Sequence, residues 1–214
     1  MTGKSVKVVV LGDSSVGKTS LIQRYISGKN DIQNSTLGAV FVQLYHSFKD
    51  ENNNFIEFPI QCWDTAGQER YHALIPMYVR DADFIIIAFD LNNVISFLDL
   101  KKWVDLSKQS IRNCKYVLVG CKNDLKPDIE VKKDDIRKFI FDNIPDSQYF
   151  STSSLTGNNV KELFTHVKKE LEELGGKRYI LNNKSRNDII RINEPIKKNN
   201  LYPDLTGHLN KCCF

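Results

Sequence analysis

The spacing of apolar positions changes character along the chain, and each change predicts an element. Val6 to Leu11 is apolar apart from Lys7, which predicts a buried strand. Gly12 to Thr19 is a glycine-punctuated turn, after which Leu21, Ile22, Tyr25 and Ile26 recur at helical spacing up to a stop at Gly28. Lys29 to Thr36 is polar and predicts a loop. Val40 to Phe48 and Phe55 to Trp63 predict two strands, and the polar cluster Asp50 to Asn54 between them is a hairpin signal. Phe84 to Phe89 and Tyr116 to Val119 predict two further buried strands. Val94 to Ser107 carries helical spacing through Phe97, Leu100, Val104 and Leu106, and Val131 to Ile140 predicts another helix. Val160 to Leu174 is the clearest helix, with Leu163, Phe164, Val167 and Leu171 on one stripe and Gly175-Gly176 ending it.

Strands alternating with helices imply an α/β fold with a mainly parallel sheet covered on both faces. Such sheets bind ligands beyond the carboxyl ends of their strands, so chemistry is expected in the strand-to-helix loops. Beyond Gly176 the periodicity fades, Asn and Lys become frequent, and Pro195 and Pro203 interrupt. The expected organisation is therefore a folded domain over 1–176 and a flexible tail over 177–214.

Charge sharpens this division. The net charge is +4, yet the residues from Gly175 onward hold eight Lys/Arg against three Asp/Glu. The folded part is close to neutral, which argues against a nucleic-acid-binding domain, and the basic tail suits an anionic membrane surface. No apolar run approaches the ~18 residues of a membrane-spanning helix. The N-terminus lacks the layout of a signal peptide and has no Gly at position 2 for myristoylation. The five cysteines (Cys62, Cys114, Cys121, Cys212 and Cys213) have no metal-ligand spacing and no even disulfide framework, which points to the reducing cytosol.

The first chemical motif is Gly12-Asp13-Ser14-Ser15-Val16-Gly17-Lys18-Thr19, a match to G-x4-G-K-[S/T]. Its glycines allow a tight turn whose N–H groups face phosphate oxygens, and the following helix, which includes Ser20, adds its positive end. Lys18 is expected at the β- and γ-phosphates, and the Thr19 hydroxyl on Mg²⁺. The motif follows an apolar strand and opens an amphipathic helix, which is the context it requires. Alone it does not separate a GTPase from an ATPase or a nucleotide kinase.

Further along, Trp63-Asp64-Thr65-Ala66-Gly67-Gln68-Glu69-Arg70-Tyr71 ends a predicted strand and resembles the switch II signature of the Rab family of small Ras-like GTPases. Ser35-Thr36-Leu37-Gly38-Ala39-Val40-Phe41 resembles the core of switch I. Cys121-Lys122-Asn123-Asp124 stands where such proteins carry N-K-x-D, and Thr152-Ser153-Ser154 where they carry T-S-A. All occur in family order over about residues 5–174. Leu37 to Phe41 and Tyr71 to Tyr78 look most like the early-endosomal Rabs.

The resemblance implies a P-loop, Ras-like fold: a mainly parallel six-stranded sheet with one antiparallel edge strand and helices on both faces. It implies a slow GTP-hydrolysing switch in vesicle trafficking. Ser14, Ser15, Val16, Gly17, Lys18, Thr19 and Ser20 would bind phosphates; Thr19, Thr36 and Asp64 would hold Mg²⁺; the Gly67 amide would meet the γ-phosphate. Gln68 would orient the attacking water, and Cys121, Lys122, Asp124, Ser153, Ser154 and Leu155 would surround the guanine. Loss of the γ-phosphate would release Thr36 and Gly67 and relax both loops. Phe41, Trp63 and Tyr78 match an aromatic trio that binds partners in Rabs. Implied partners are effector proteins, an exchange factor, a GTPase-activating protein, and a GDP-dissociation inhibitor or escort protein. The implied state is a monomer cycling between cytosol and the cytoplasmic face of endosomal or other vesicle membranes.

The chain departs from the family on its guanine side. Cys121 replaces the asparagine that contacts the base and ties down the phosphate loop, and a thiol is a weak hydrogen-bonding group. Leu155 replaces the lysine that follows T-S-A. Lys29-Asn30-Asp31-Ile32 makes switch I one residue short and leaves no aromatic beside guanine. Each lost contact costs about 1 kcal/mol, so additive losses predict affinity on the order of a hundredfold weaker. Asp124, the main discriminator of guanine, remains.

The chain closes on Lys211-Cys212-Cys213-Phe214, which is not C-a-a-X but resembles the paired-cysteine Rab endings that receive two geranylgeranyl groups. Two lipids make anchoring stable where one is marginal. Two other readings stand beside the switch. One is a nucleotide-gated or degenerate Rab-like scaffold that retains nucleotide poorly. The other is a small P-loop kinase, which would need a lid and an Arg-rich acceptor site that the sequence does not display.

Overall fold

The computed structural model describes residues 5–28, 39–49, 53, 55–67, 73–111, 114–125 and 130–173. Six strands form one sheet in the order β2-β3-β1-β4-β5-β6. They are β1 (Val6–Leu11), β2 (Ala39–Lys49), β3 (Phe55–Thr65), β4 (Phe84–Asp90), β5 (Lys115–Cys121) and β6 (Gln148–Ser151). All neighbours run parallel except β2, which lies antiparallel to β3 at one edge with Ala39 opposite Thr65 and Lys49 opposite Phe55. The expected six-stranded sheet with one antiparallel edge is the architecture found.

The central strands explain why helices cover both faces. Side chains alternate across a strand, so an unbroken β-branched run must be buried twice. Val8 and Val10 of β1, with Phe84, Ile86 and Ala88 of β4, pack on one face against Leu21 and Ile22 of α1 (Lys18–Ser27). Leu163, Phe164 and Val167 of α6 (Val160–Leu171) share that face, where Tyr25 stacks on Phe164 with ring centroids 3.9 Å apart. Val9, Leu11, Ile85, Ile87 and Phe89 face the other way. There they meet α2 (Ile75–Val79), α3 (Val94–Leu98), α4 (Leu100–Ser110) and α5 (Lys133–Asn143). Burying a side chain such as Leu118 or Ile86 stabilises the fold by about 1.5–3 kcal/mol.

The stretch from Val94 to Ser107 is two helices rather than one. Asn93 caps the first, its Oδ1 accepting from the N–H groups of Ile95 and Ser96. Asp99 closes that helix and opens the next. The break lets Phe97 meet Phe89 and Phe139 while Leu100, Trp103 and Val104 bury against the sheet. The next helix starts at Lys133, not Val131: Val131 is buried in the preceding loop, where its N–H bonds the carbonyl of Leu91. The last helix ends at Leu171, three residues before the expected limit, and the Gly175-Gly176 stop and the 177–214 tail lie outside the described residues. No helix among the described residues is long and apolar enough to cross a membrane.

Candidate nucleotide site

The carboxyl ends of β1, β3, β4, β5 and β6 open on the same edge of the sheet, and every described motif sits there. The loop after β1 bends at Gly12 with φ 143°, at Ser15 with φ 62° and at Gly17 with φ 112°. A Cβ on Gly12 would lie 2.1 Å from the carbonyl oxygen of Ala88, so no other residue fits without moving backbone. Ser14 and Ser15 are exposed on this loop, Val16 is buried beneath it, and Ser20 is half-buried in the first turn of α1.

Lys18 is 5% exposed and donates from Nζ to the carbonyls of Gly12 at 2.7 Å and Asp13 at 2.6 Å. The ammonium thus closes the loop on itself, with no carboxylate in those two bonds. Burial lowers its pKa to about 8, against the raising influence of Asp64, Cys121 and Asp13. Thr19 Oγ1 donates to Asp64 Oδ2 at 2.6 Å, joining the start of α1 to β3. Two hard oxygen donors are therefore adjacent on opposite sides of one cleft, the chemistry that Mg²⁺ takes. Next to them, Thr65 is fully buried and donates to the carbonyl of Val10 at 2.6 Å.

Gly67 is also held without room for a side chain. A Cβ there would lie 2.3 Å from both the carbonyl carbon and oxygen of Asp13, and 2.5 Å from the carbonyl oxygen of Gly12. The close approach is to the phosphate loop's own backbone, which adds to the expected need for room beside a γ-phosphate. Gln68, Thr36 and the short segment Lys29 to Ile32 lie outside the described residues, as do Cys212 and Cys213.

On the other side of the cleft, Cys121 is 2% exposed and ends β5. Burial pushes its thiol up to about 12, which makes it an inert neutral group, and Thr152 supplies the hydrogen-bond partner. A Cβ built on Gly17 would sit 3.5 Å from Cys121 Cβ and 3.7 Å from its sulfur, so the thiol lies against the phosphate loop. Lys122 adopts φ 61°, a left-handed conformation that costs a non-glycine residue about 1 kcal/mol or more. Its ammonium pairs with Asp90 Oδ2 at 2.7 Å. Asp124 is half-buried in the same loop, Ser153 is fully buried, Ser154 is half-buried, and Leu155 is 61% exposed on the rim.

Several residues that the motifs did not single out complete the site. Asp13 Oδ1 accepts from the indole N–H of fully buried Trp103 at 2.7 Å. Burial raises the Asp13 pKa, opposed by that indole bond and reinforced by Asp99. Asn92 Nδ2 donates to Asp90 Oδ1 at 3.1 Å and to the carbonyl of Lys122 at 3.0 Å. Asn123 reaches the loop after β6. Their signals in the sequence are weak: Asp13 and Asn123 fall at unspecified positions of their motifs, and Asn92 and Trp103 lie in none.

The aromatic trio is assembled. Phe41 lies 5.2 Å from Trp63 between ring centroids, and Trp63 lies 6.3 Å from Tyr78. Phe41 is 49% exposed while Tyr78 is 8% exposed, so the cluster is anchored inside and open at one end.

Comparison with known proteins agrees with this geometry. Residues 7–173 match the Ras family. The chain is 39% identical over 169 residues to "Ras-related protein Rab5" of Nicotiana tabacum, covering 78% of this chain and 81% of that one. It is 37% identical over 171 residues to "Putative ras-related protein Rab-5B" of Dictyostelium discoideum, covering 79% and 77%. A P-loop whose lysine is buried against its own carbonyls, a threonine–aspartate pair across the cleft and this degree of likeness to Rab5 proteins lead to one conclusion: the chain belongs to the Ras family and is a Rab small GTPase of the early-endosomal subgroup.

Proposed function

We propose that this GTPase holds GTP or GDP across the loops after β1, β3, β5 and β6, with phosphates at Ser14 to Ser20 and guanine between the Cys121–Asp124 and Ser153–Leu155 segments. The observation that carries the reading is the contact of Thr19 with Asp64 beside the buried Lys18. Thr19, Thr36 and Asp64 are the residues that would hold Mg²⁺, Asp64 through a bound water. The ion supplies charge neutralisation to the phosphates. Lys18 supplies the other positive charge, and the Gly67 N–H would meet the γ-phosphate. Gln68 positions the attacking water.

Intrinsic hydrolysis is slow, and a GTPase-activating protein brings it to a useful rate. The related Ras depends on its partner in this way and is accelerated by it about 10⁵-fold. Phe41, Trp63 and Tyr78 form the effector face. An exchange factor, and a GDP-dissociation inhibitor or escort protein, complete the cycle. Cys212 and Cys213 carry geranylgeranyl groups that place the domain on the cytoplasmic face of endosomal or other vesicle membranes, and the folded domain acts as a monomer.

Two measurements test this. Lys18→Ala should abolish retention of GDP on gel filtration, and Asp64→Ala should remove the acceleration of GDP release by a Mg²⁺ chelator. Retention of GDP by the Lys18 variant, or chelator sensitivity unchanged in the Asp64 variant, would contradict the assignment.

A further inference from the structure

Cys121 hydrogen-bonds Thr152 through its thiol but lacks the amide with which an asparagine would contact the base and tie down the phosphate loop. Its thiol is buried and neutral, and a thiol is a weak donor and weak acceptor. Yet the loop that follows it is strained, with Lys122 in the left-handed region. A strained turn persists only where its surroundings over-determine it. Asn92 holds the Lys122 carbonyl and Asp90 its ammonium, which leaves Asp124, beyond them, to be held in place.

The hydrogen bonds identify the holder. The Asn123 N–H donates to the carbonyl of Thr152 at 3.0 Å. Its side-chain amide then reaches both ends of the loop after β6. Nδ2 donates to the carbonyl of Ser151 at 3.0 Å, to Ser151 Oγ at 3.2 Å and to Asn158 Oδ1 at 2.9 Å. Asn159 Nδ2 adds a second bond to the Ser151 carbonyl at 2.9 Å. Between those ends, the Ser153 carbonyl accepts from the Gly157 N–H, and the Ser153 N–H donates to the Asn158 carbonyl. The loop carrying Ser153, Ser154 and Leu155 is thus closed on itself and clamped to Asn123.

We propose that Asn123 is the positioning residue of the guanine pocket: it clamps the Cys121–Asp124 loop to the Ser153–Leu155 loop and so aims Asp124, the base contact on which recognition rests once Cys121 supplies none. This rests on the assignment of these loops to the base. It also revises the arithmetic of the sequence, in which the loss at position 121 stands uncompensated. Guanine retention should therefore be stronger than three independent losses imply.

The test compares release of fluorescent GDP and fluorescent IDP, which lacks the 2-amino group that Asp124 reads. In the wild type, GDP should be released more slowly than IDP. Asn123→Ala removes two or three hydrogen bonds and should speed GDP release about tenfold, with IDP much less affected, so that the GDP/IDP preference collapses toward unity. Asn158→Ala should act in the same direction and add little to the first change. Asn158→Asp keeps the acceptor and should retain the wild-type preference. Equal acceleration of both nucleotides with a lowered unfolding temperature would mean that Asn123 only holds the fold, and would overturn the inference. So would unchanged GDP release in Asn123→Ala. A wild-type chain that retains neither nucleotide would contradict the site assignment itself, a result distinct from either.

Discussion

Replacing Gly67 by alanine isolates the coupling between the phosphate loop and the start of switch II. The added methyl would lie 2.3 Å from the carbonyl carbon and oxygen of Asp13, where 3.4 Å marks the start of ordinary contact. All three of its near neighbours are backbone atoms, so no flexible side chain can yield. Gly12, at one end of that contact, is itself locked against Ala88. The relief must come from Gly67, displaced by about 1 Å or more, a misplacement that costs roughly a hundredfold in a rate set by alignment. GDP has no γ-phosphate for the Gly67 N–H to meet, so its retention should change less than about threefold. Single-turnover hydrolysis of preloaded GTP, measured beside release of fluorescent GDP, separates the two. Hydrolysis within about threefold of wild type, or GDP release accelerated as much as hydrolysis is slowed, would refute the argument.

Other perturbations follow from particular contacts. Trp103→Phe removes the indole N–H from Asp13 and should cost about 0.5–1.5 kcal/mol in urea unfolding, because a half-buried carboxylate loses a donor that water only partly replaces. An unchanged urea midpoint would show that the bond contributes nothing. Phe41→Ala removes an exposed ring and should leave the melting temperature nearly unchanged while, if the proposed effector face is right, strongly weakening GTP-dependent capture of effector proteins; undiminished capture would contradict that assignment. Burial raises the thiols of Cys62, Cys114 and Cys121 from 9.0 to about 12. The unfolded chain therefore loses these protons first. The stabilisation is complete below pH 9 and declines as pH rises from there to about 12, by about 1.4 kcal/mol per unit for each thiol. Cys62→Ala should flatten the alkaline slope by one proton, and an identical slope would contradict the shift.

Much of this fold was legible because its core strands are unambiguous. Val8–Leu11 and Phe84–Phe89 are apolar on both faces, and the glycine-bounded turn between β1 and α1 places the chemistry from the sequence alone. Elements that escaped are those whose tertiary setting outweighs local pattern. The strand Gln148–Ser151 has only four residues at the sheet edge, and α2 has five with Pro76 among them, too few for a period to emerge. The turn at Asp99 was hidden inside continuous helical spacing. In the site, Lys18 and Thr19 were readable because phosphate chemistry fixes their type and spacing, whereas Asp64 and Gly67 were read through the resemblance of their segment to switch II. Asn123 and Trp103 were not: each acts through a partner far away in sequence.

The most direct test of a guanine-nucleotide switch is the nucleotide that the purified protein carries and how it lets go. Denaturation followed by chromatography should release guanine nucleotide and no adenine nucleotide, and fluorescent GDP should leave slowly with Mg²⁺ present and markedly faster once it is chelated. Protein that arrives empty, or that releases GDP at the same rate with and without Mg²⁺, would contradict the account.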